Sequence, residues 1–146
     1  METKLILLVE DNADDELLLL RALKKNHIHN RVVVARDGVE ALDYLFSTGA
    51  YAGRDPEPLP QLVLLDLKLP KVNGHEVLKR MRADPRTKYI PVVVLTSSIE
   101  EQDILSSYDL GANGFVQKPV DFNEFVEVAQ QLGVYWLGIN RSVYPK

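Results

Sequence analysis

Residues Leu62 to Gly74 read LVLLDLKLPKVNG, and this stretch decides the architecture: an unbroken aliphatic run ends on a single carboxylate, Asp66. Continuous rather than alternating apolarity suits a strand buried on both faces, as in a parallel sheet. A lone charge where such a strand ends costs on the order of several kcal/mol unless a cation or hydrogen-bond donors meet it. Asp66 therefore needs partners, and the rest of the chain has to supply them.

Runs of the same kind recur as LILLV (Leu5–Val9), VVVA (Val32–Ala35), PVVVL (Pro91–Leu95) and GFVQK (Gly114–Lys118). Between them the spacing predicts helices. Val39, Leu42, Leu45 and Phe46 share one helical face, as do Val77, Leu78 and Met81, and as do Ile104, Leu105 and Tyr108; each face is expected in the core. The last helix carries Phe122, Phe125, Val126, Ala129, Leu132 and Trp136 at 3.6-residue spacing, more than covering one sheet face requires. Ser98 followed by Glu101 has the capping-box spacing, and Asn12 precedes a first turn in which Asp14 and Asp15 are expected to serve the helix dipole. Strand and helix alternate throughout, which with right-handed crossovers gives an α/β, doubly wound parallel sheet with helices on both faces. Ligands of such sheets sit at the carboxyl ends of the strands. The long connection STGAYAGRDPEPLPQ, Ser47 to Gln61, reads as a surface loop.

The bulk properties narrow the function. At 146 residues, 46% hydrophobic and 26% charged, the chain fits one domain with a proper core. A formal net charge of -4 with no basic run argues against nucleic acid as the main ligand. Without cysteine there is no disulfide framework and no thiolate metal site. The apolar start is broken by Glu10 and Asp11, too short for a signal peptide or membrane span, so a cytoplasmic protein is expected.

The strands deliver chemistry at one rim: Glu10 and Asp11 from the first, Asp66 from the third, Thr96 with Ser97 from the fourth, Lys118 from the fifth. Carboxylates ~4 Å apart repel by roughly 4 kcal/mol at an effective dielectric near 20, so the acids call for a cation. All-oxygen ligation by few protein groups suits Mg2+. Asp66 is then placed to act as a nucleophile toward phosphorus, with the metal and Lys118 neutralising the transferring phosphoryl group and Thr96 offering a hydroxyl to it.

LVEDN, LVLLDLKLPKVNG, VVVLTSS and GANGFVQKP together resemble the receiver domain of bacterial two-component response regulators, over nearly the whole chain. The resemblance implies the flavodoxin-like (βα)5 receiver fold with strand order 2-1-3-4-5. It makes Asp66 the phosphoacceptor, Glu10, Asp11 and Asp66 with the Lys68 backbone carbonyl the Mg2+ ligands, and Thr96 and Lys118 the phosphoryl contacts. Phe115 becomes the switch aromatic, turning inward as Thr96 is drawn toward the phosphoryl group. Glu10 stands where relatives carry aspartate, and its longer carboxylate can act through a metal-bound water. Lys68 and Ser98, each two positions beyond a site residue, lie where side chains influence the access of water to the acyl phosphate.

Within that family the long loop, DLKLPKVNG and the aromatic tail GVYWLGINRSVYPK look like the stand-alone receivers that partner bacterial phytochromes. The implied partner is a phytochrome-type sensor histidine kinase. Residues 1–133 are expected to form the receiver and 134–146 an aromatic extension of the same structural unit. No DNA-binding module follows, so output is expected through contacts with another protein or through a further phosphotransfer. Val134, Tyr135, Trp136, Leu137, Ile139, Val143 and Tyr144 are more apolar surface than a monomer need expose, which points to a homodimer, with a tail folded back onto its own domain as the alternative. Its contacts are expected from the fourth and fifth helices, the fifth strand and the extension: Phe122, Val126, Tyr135, Trp136, Leu137 and Ile139. His27, His29 and His75 read as surface histidines. A constitutive dimeric scaffold with a vestigial site and a small phosphohydrolase stand as alternatives, the latter weakened by Lys68 where such enzymes carry a second acid. A flavin-binding module is disfavoured because EDNADDE would repel a phosphate.

Overall fold

The computed structural model describes residues 4–143. Five strands, β1 (Leu5–Val9), β2 (Arg31–Ala35), β3 (Leu62–Leu65), β4 (Val92–Thr96) and β5 (Gly114–Gln117), form one parallel sheet in the order β2-β1-β3-β4-β5. Helices α1 (Ala13–Lys25), α2 (Gly38–Phe46), α3 (Gly74–Ala83), α4 (Glu101–Asp109) and α5 (Phe122–Leu132) connect or follow them. The apolar runs form strands because both faces are covered. Leu5, Leu7 and Val9 join Val63 and Leu65 under α2 and α3, while Ile6 and Leu8 join Leu62 and Leu64 under α1 and α5. The period of two thus builds two cores from one strand.

Asn12 caps α1 as its sequence position predicts, accepting the Asp15 amide at 3.0 Å. The capping box at Ser98 does not form. Glu100 is the N-cap of α4 with no side-chain cap bond, and the Ser98 hydroxyl passes over it to Asp103. Two faces read as core are partly outside it. Val39 is exposed, and Leu105 and Tyr108 are 53% and 51% exposed, because α4 turns its Ser107 side inward rather than its Leu105 side.

The Ser47–Gln61 connection holds a 3₁₀ turn at Gly49–Tyr51 and lies against α2. The Arg54 guanidinium stacks 3.9 Å from the centre of the Tyr44 ring and donates to the Tyr44 carbonyl, and Tyr51 meets the same ring edge-on. Beyond α5 the chain widens into a π-helical segment, Gly133–Ile139. Trp136 and Leu137 pack on the core beneath α1 and α5. Lys4 Nζ donates to the Leu137 carbonyl at 2.9 Å, so this segment lies at the amino end of the sheet, away from the strand ends that carry the acids. Tyr144 lies outside the described residues.

Candidate functional site

Glu10 and Asp66 follow the last residues of the adjacent parallel strands β1 and β3, so the register places them side by side; the Asp66 amide donates to the Val9 carbonyl at 3.0 Å. Both are buried, at 3% and 6% exposure, while Asp11 is exposed at the entrance to α1. Ligand oxygens of Glu10, Asp11 and Asp66 lie within 4.8 Å of one another. Close packing holds this arrangement, since a Cβ on Gly74 would stand 2.2 Å from the Asp66 carbonyl oxygen. The Gly74 amide in turn donates to Leu67 at 2.8 Å and closes the loop that carries Lys68, which is exposed.

Lys118 arrives from β5 across β4, its amide donating to the Thr96 carbonyl. Its ammonium lies 2.9 Å from Glu10 Oε1, 2.9 Å from Asp15 Oδ2 and 3.2 Å from Asp66 Oδ2, with the side chain 8% exposed. Asp66 Oδ1 accepts the Leu67 amide at 2.7 Å and Glu10 Oε2 the Asn12 amide at 3.1 Å. The partners that Asp66 required are therefore a lysine and a backbone N–H. Asp15, assigned to the helix dipole on sequence, is instead a direct partner of Lys118; its place in the first turn of α1 gave no signal of this, since an acid there already satisfies the dipole.

Burial is the strongest influence on Glu10 and, with the negative field of Asp66, raises its carboxyl to about 7 against the Lys118 and Asn12 hydrogen bonds. Burial also works against the Lys118 ammonium, but its bonds to Glu10 and Asp15 and the field of Asp66 outweigh it and hold the pKa above that of an ordinary lysine. One ammonium stands among Glu10, Asp11, Asp15 and Asp66, which leaves an excess of negative charge. These hard oxygen donors fit a divalent cation.

Thr96 is fully buried at the end of β4, its Oγ1 accepting the Ser98 amide at 3.3 Å. Phe115 is half-buried on β5, paired in register with Val94. The structure thus gathers Glu10, Asp11, Asp66 and Lys118 at one rim, with Thr96 on the strand that joins them. His27 and His29 are exposed, as expected, but His75 is half-buried and its Nε2 lies 3.1 Å from Ser107 Oγ. The dimer candidates divide: Phe122, Val126, Trp136 and Leu137 pack on the chain's own core, whereas Tyr135 and Ile139 are 47% and 63% exposed. Among the described residues, no helix is long and apolar enough to cross a membrane.

The response regulator receiver domain family matches residues 6–130. The "Probable methanogenesis regulatory protein FilR2" of Methanothrix harundinacea is 43% identical over 141 residues, spanning 97% of this chain and 88% of that protein. Response regulator Rcp1 of Synechocystis is 40% identical over 134 residues, spanning 92% of this chain and 89% of Rcp1. Its Mn2+-bound crystal form superposes with a TM-score of 0.86 at 38% identity, covering 97% of this chain and 99% of that one. The phosphorylated cyanobacterial phytochrome response regulator RcpA superposes at 0.89 with 40% identity, covering 98% and 100% of the two chains. The bacteriophytochrome response regulator AtBRR is 56% identical, with a TM-score of 0.77 and coverage of 97% and 100%. Strand order, acidic rim and family match agree, and the chain belongs to the response regulator receivers.

Proposed function

We propose that this receiver takes a phosphoryl group on Asp66 from a sensor histidine kinase of the phytochrome type, with Mg2+, and that the acyl phosphate resets by hydrolysis. The observation that carries the reading is the Lys118 ammonium held on Asp66 and Glu10 beside the exposed Asp11. A carboxylate oxygen of Asp66 attacks phosphorus, the phosphorus–nitrogen bond of the phosphohistidine breaks, and the imidazole leaves and takes up a proton. Glu10, Asp11, Asp66 and the Lys68 carbonyl would hold Mg2+, which supplies charge neutralisation for the equatorial phosphoryl oxygens. Lys118 adds a compact positive charge from the other side, and Thr96 donates its hydroxyl. Attack of water on phosphorus then returns Asp66 and inorganic phosphate.

The phytochrome partnership is supported by likeness over nearly the whole chain to RcpA and AtBRR, each named a phytochrome response regulator. Movement of Thr96 toward the phosphoryl group would draw Phe115 inward and alter the α4–β5–α5 face, where Leu105 and Tyr108 already stand exposed. Self-association would use the exposed Tyr135 and Ile139 of the carboxyl-terminal segment. Intact-mass analysis after incubation with a small-molecule phosphodonor and Mg2+ tests the site: wild type should gain one phosphoryl mass and Asp66→Asn none. A wild type that gains nothing overturns the reading in favour of a scaffold with a vestigial site.

A further inference from the structure

A chain of polar contacts links Thr96 through Ser98 to Asp103 and Ser107 of α4. Ser107 is the buried residue of α4, and its hydroxyl donates to the Asp103 carbonyl at 2.7 Å. Its remaining lone pair faces His75 Nε2 at 3.1 Å, which makes that nitrogen the donor and ties α4 to the start of α3. One turn back, Asp103 Oδ2 accepts the Ser98 hydroxyl at 2.6 Å, the short distance of a charge-assisted bond. Ser98 is 8% exposed, and its amide donates to Thr96 Oγ1 at 3.3 Å. That contact uses a lone pair of the buried threonine oxygen and leaves the hydroxyl hydrogen uncommitted by it.

We propose that Asp103 is a positioning residue for phosphoryl transfer at Asp66: its carboxylate fixes the Ser98 hydroxyl, the Ser98 amide stays on Thr96 Oγ1, and the Thr96 hydrogen is left aimed at the incoming phosphoryl oxygen. The proposal rests on the phosphoacceptor reading of Asp66. Without an acceptor at position 103 the Ser98 hydroxyl keeps only the long contact from the Glu100 amide at 3.4 Å and can rotate among its staggered positions, and the turn loses the bond that sets its amide direction. Because the Asp103 main chain also receives Ser107, the aim of Thr96 is coupled to how α4 sits against His75 on α3.

The rate of Mg2+-dependent adduct formation, followed by intact mass with a small-molecule phosphodonor, is the test. Asp103→Ala should slow it roughly tenfold, within the range that small misplacements cost, and Asp103→Asn, whose amide oxygen accepts the same hydrogen, should recover most of the rate. Ser98→Ala removes the other end of the bond and should give the same loss, with the double variant no slower than either single one. On a Thr96→Ala background Asp103→Ala should have no further effect, a dependence that general loosening of α4 would not produce. Equal rates for wild type and Asp103→Ala, or equal slowing with and without the Thr96 hydroxyl, would overturn the role of Asp103 alone. A wild type that forms no adduct overturns the phosphoacceptor reading and this proposal together.

Discussion

Glu10 binds its proton more tightly in the fold than in the unfolded chain, with a carboxyl raised from 4.5 to about 7 by burial first and by Asp66. A group whose folded pKa is raised contributes stability that is complete below the unfolded value and is lost as pH climbs through the folded one. In chelator, the stability difference between wild type and Glu10→Gln should therefore shift against wild type by about 3 kcal/mol from pH 4.5 to 8. Urea midpoints across that range check it, and a difference that does not change with pH refutes the burial argument. In the proposed metal site Glu10 acts as a carboxylate, so divalent metal binding just below pH 7 should release a proton to the solvent. Asp66, Glu10, Asp11, Thr96 and Lys118 were all legible one by one, because each follows an apolar run in a known direction. Asp15 and Asp103 were not, since an acid in the first turn of a helix already satisfies the dipole and announces nothing more.

At the scale of the element, close packing against backbone is what the residue pattern conceals. A methyl on Gly74 would press on the Asp66 carbonyl, so Gly74→Ala should cost about 1–3 kcal/mol and should also depress the proposed adduct formation by moving the strand end that carries Asp66. Thermal unfolding and intact mass together read both effects. At the far end of α3, Arg82 donates to the carbonyls of Gly111, Lys88 and Ile90 and to Asn113 Oδ1, pinning the α3–β4 and α4–β5 connections to one guanidinium. Arg82→Ala should lower stability by about 2–3 kcal/mol in urea unfolding and leave adduct formation near wild type, because the site lies at the opposite ends of the strands. The spacing of Ile104, Leu105 and Tyr108 promised a buried face that α4 does not have. A nine-residue helix can be seated by the Ser107–His75 and Asp103–Ser98 hydrogen bonds instead, leaving its larger apolar side chains to the surface.

For the molecule as a whole, the carboxyl-terminal segment separates into inward and outward residues that ought to behave differently. Trp136→Ala should destabilise the fold by about 2–4 kcal/mol, since the ring packs on the core beneath α1 and α5. Tyr135→Asp with Ile139→Asp should leave the unfolding midpoint nearly unchanged and abolish any self-association seen in size-exclusion or sedimentation. The reverse pattern would place the contact surface elsewhere. By itself the sequence determined the doubly wound sheet and the strand ends that bring Glu10, Asp11, Asp66 and Lys118 to one rim, because apolar runs and strand direction are local properties of the chain. Only the tertiary structure decided that Lys118 bridges Glu10, Asp15 and Asp66, that Ser98 reaches Asp103 rather than capping α4, and which tail residues face inward. Those choices turn on through-space distances between side chains far apart in sequence, and on competition for buried hydrogen-bond partners that no local pattern records.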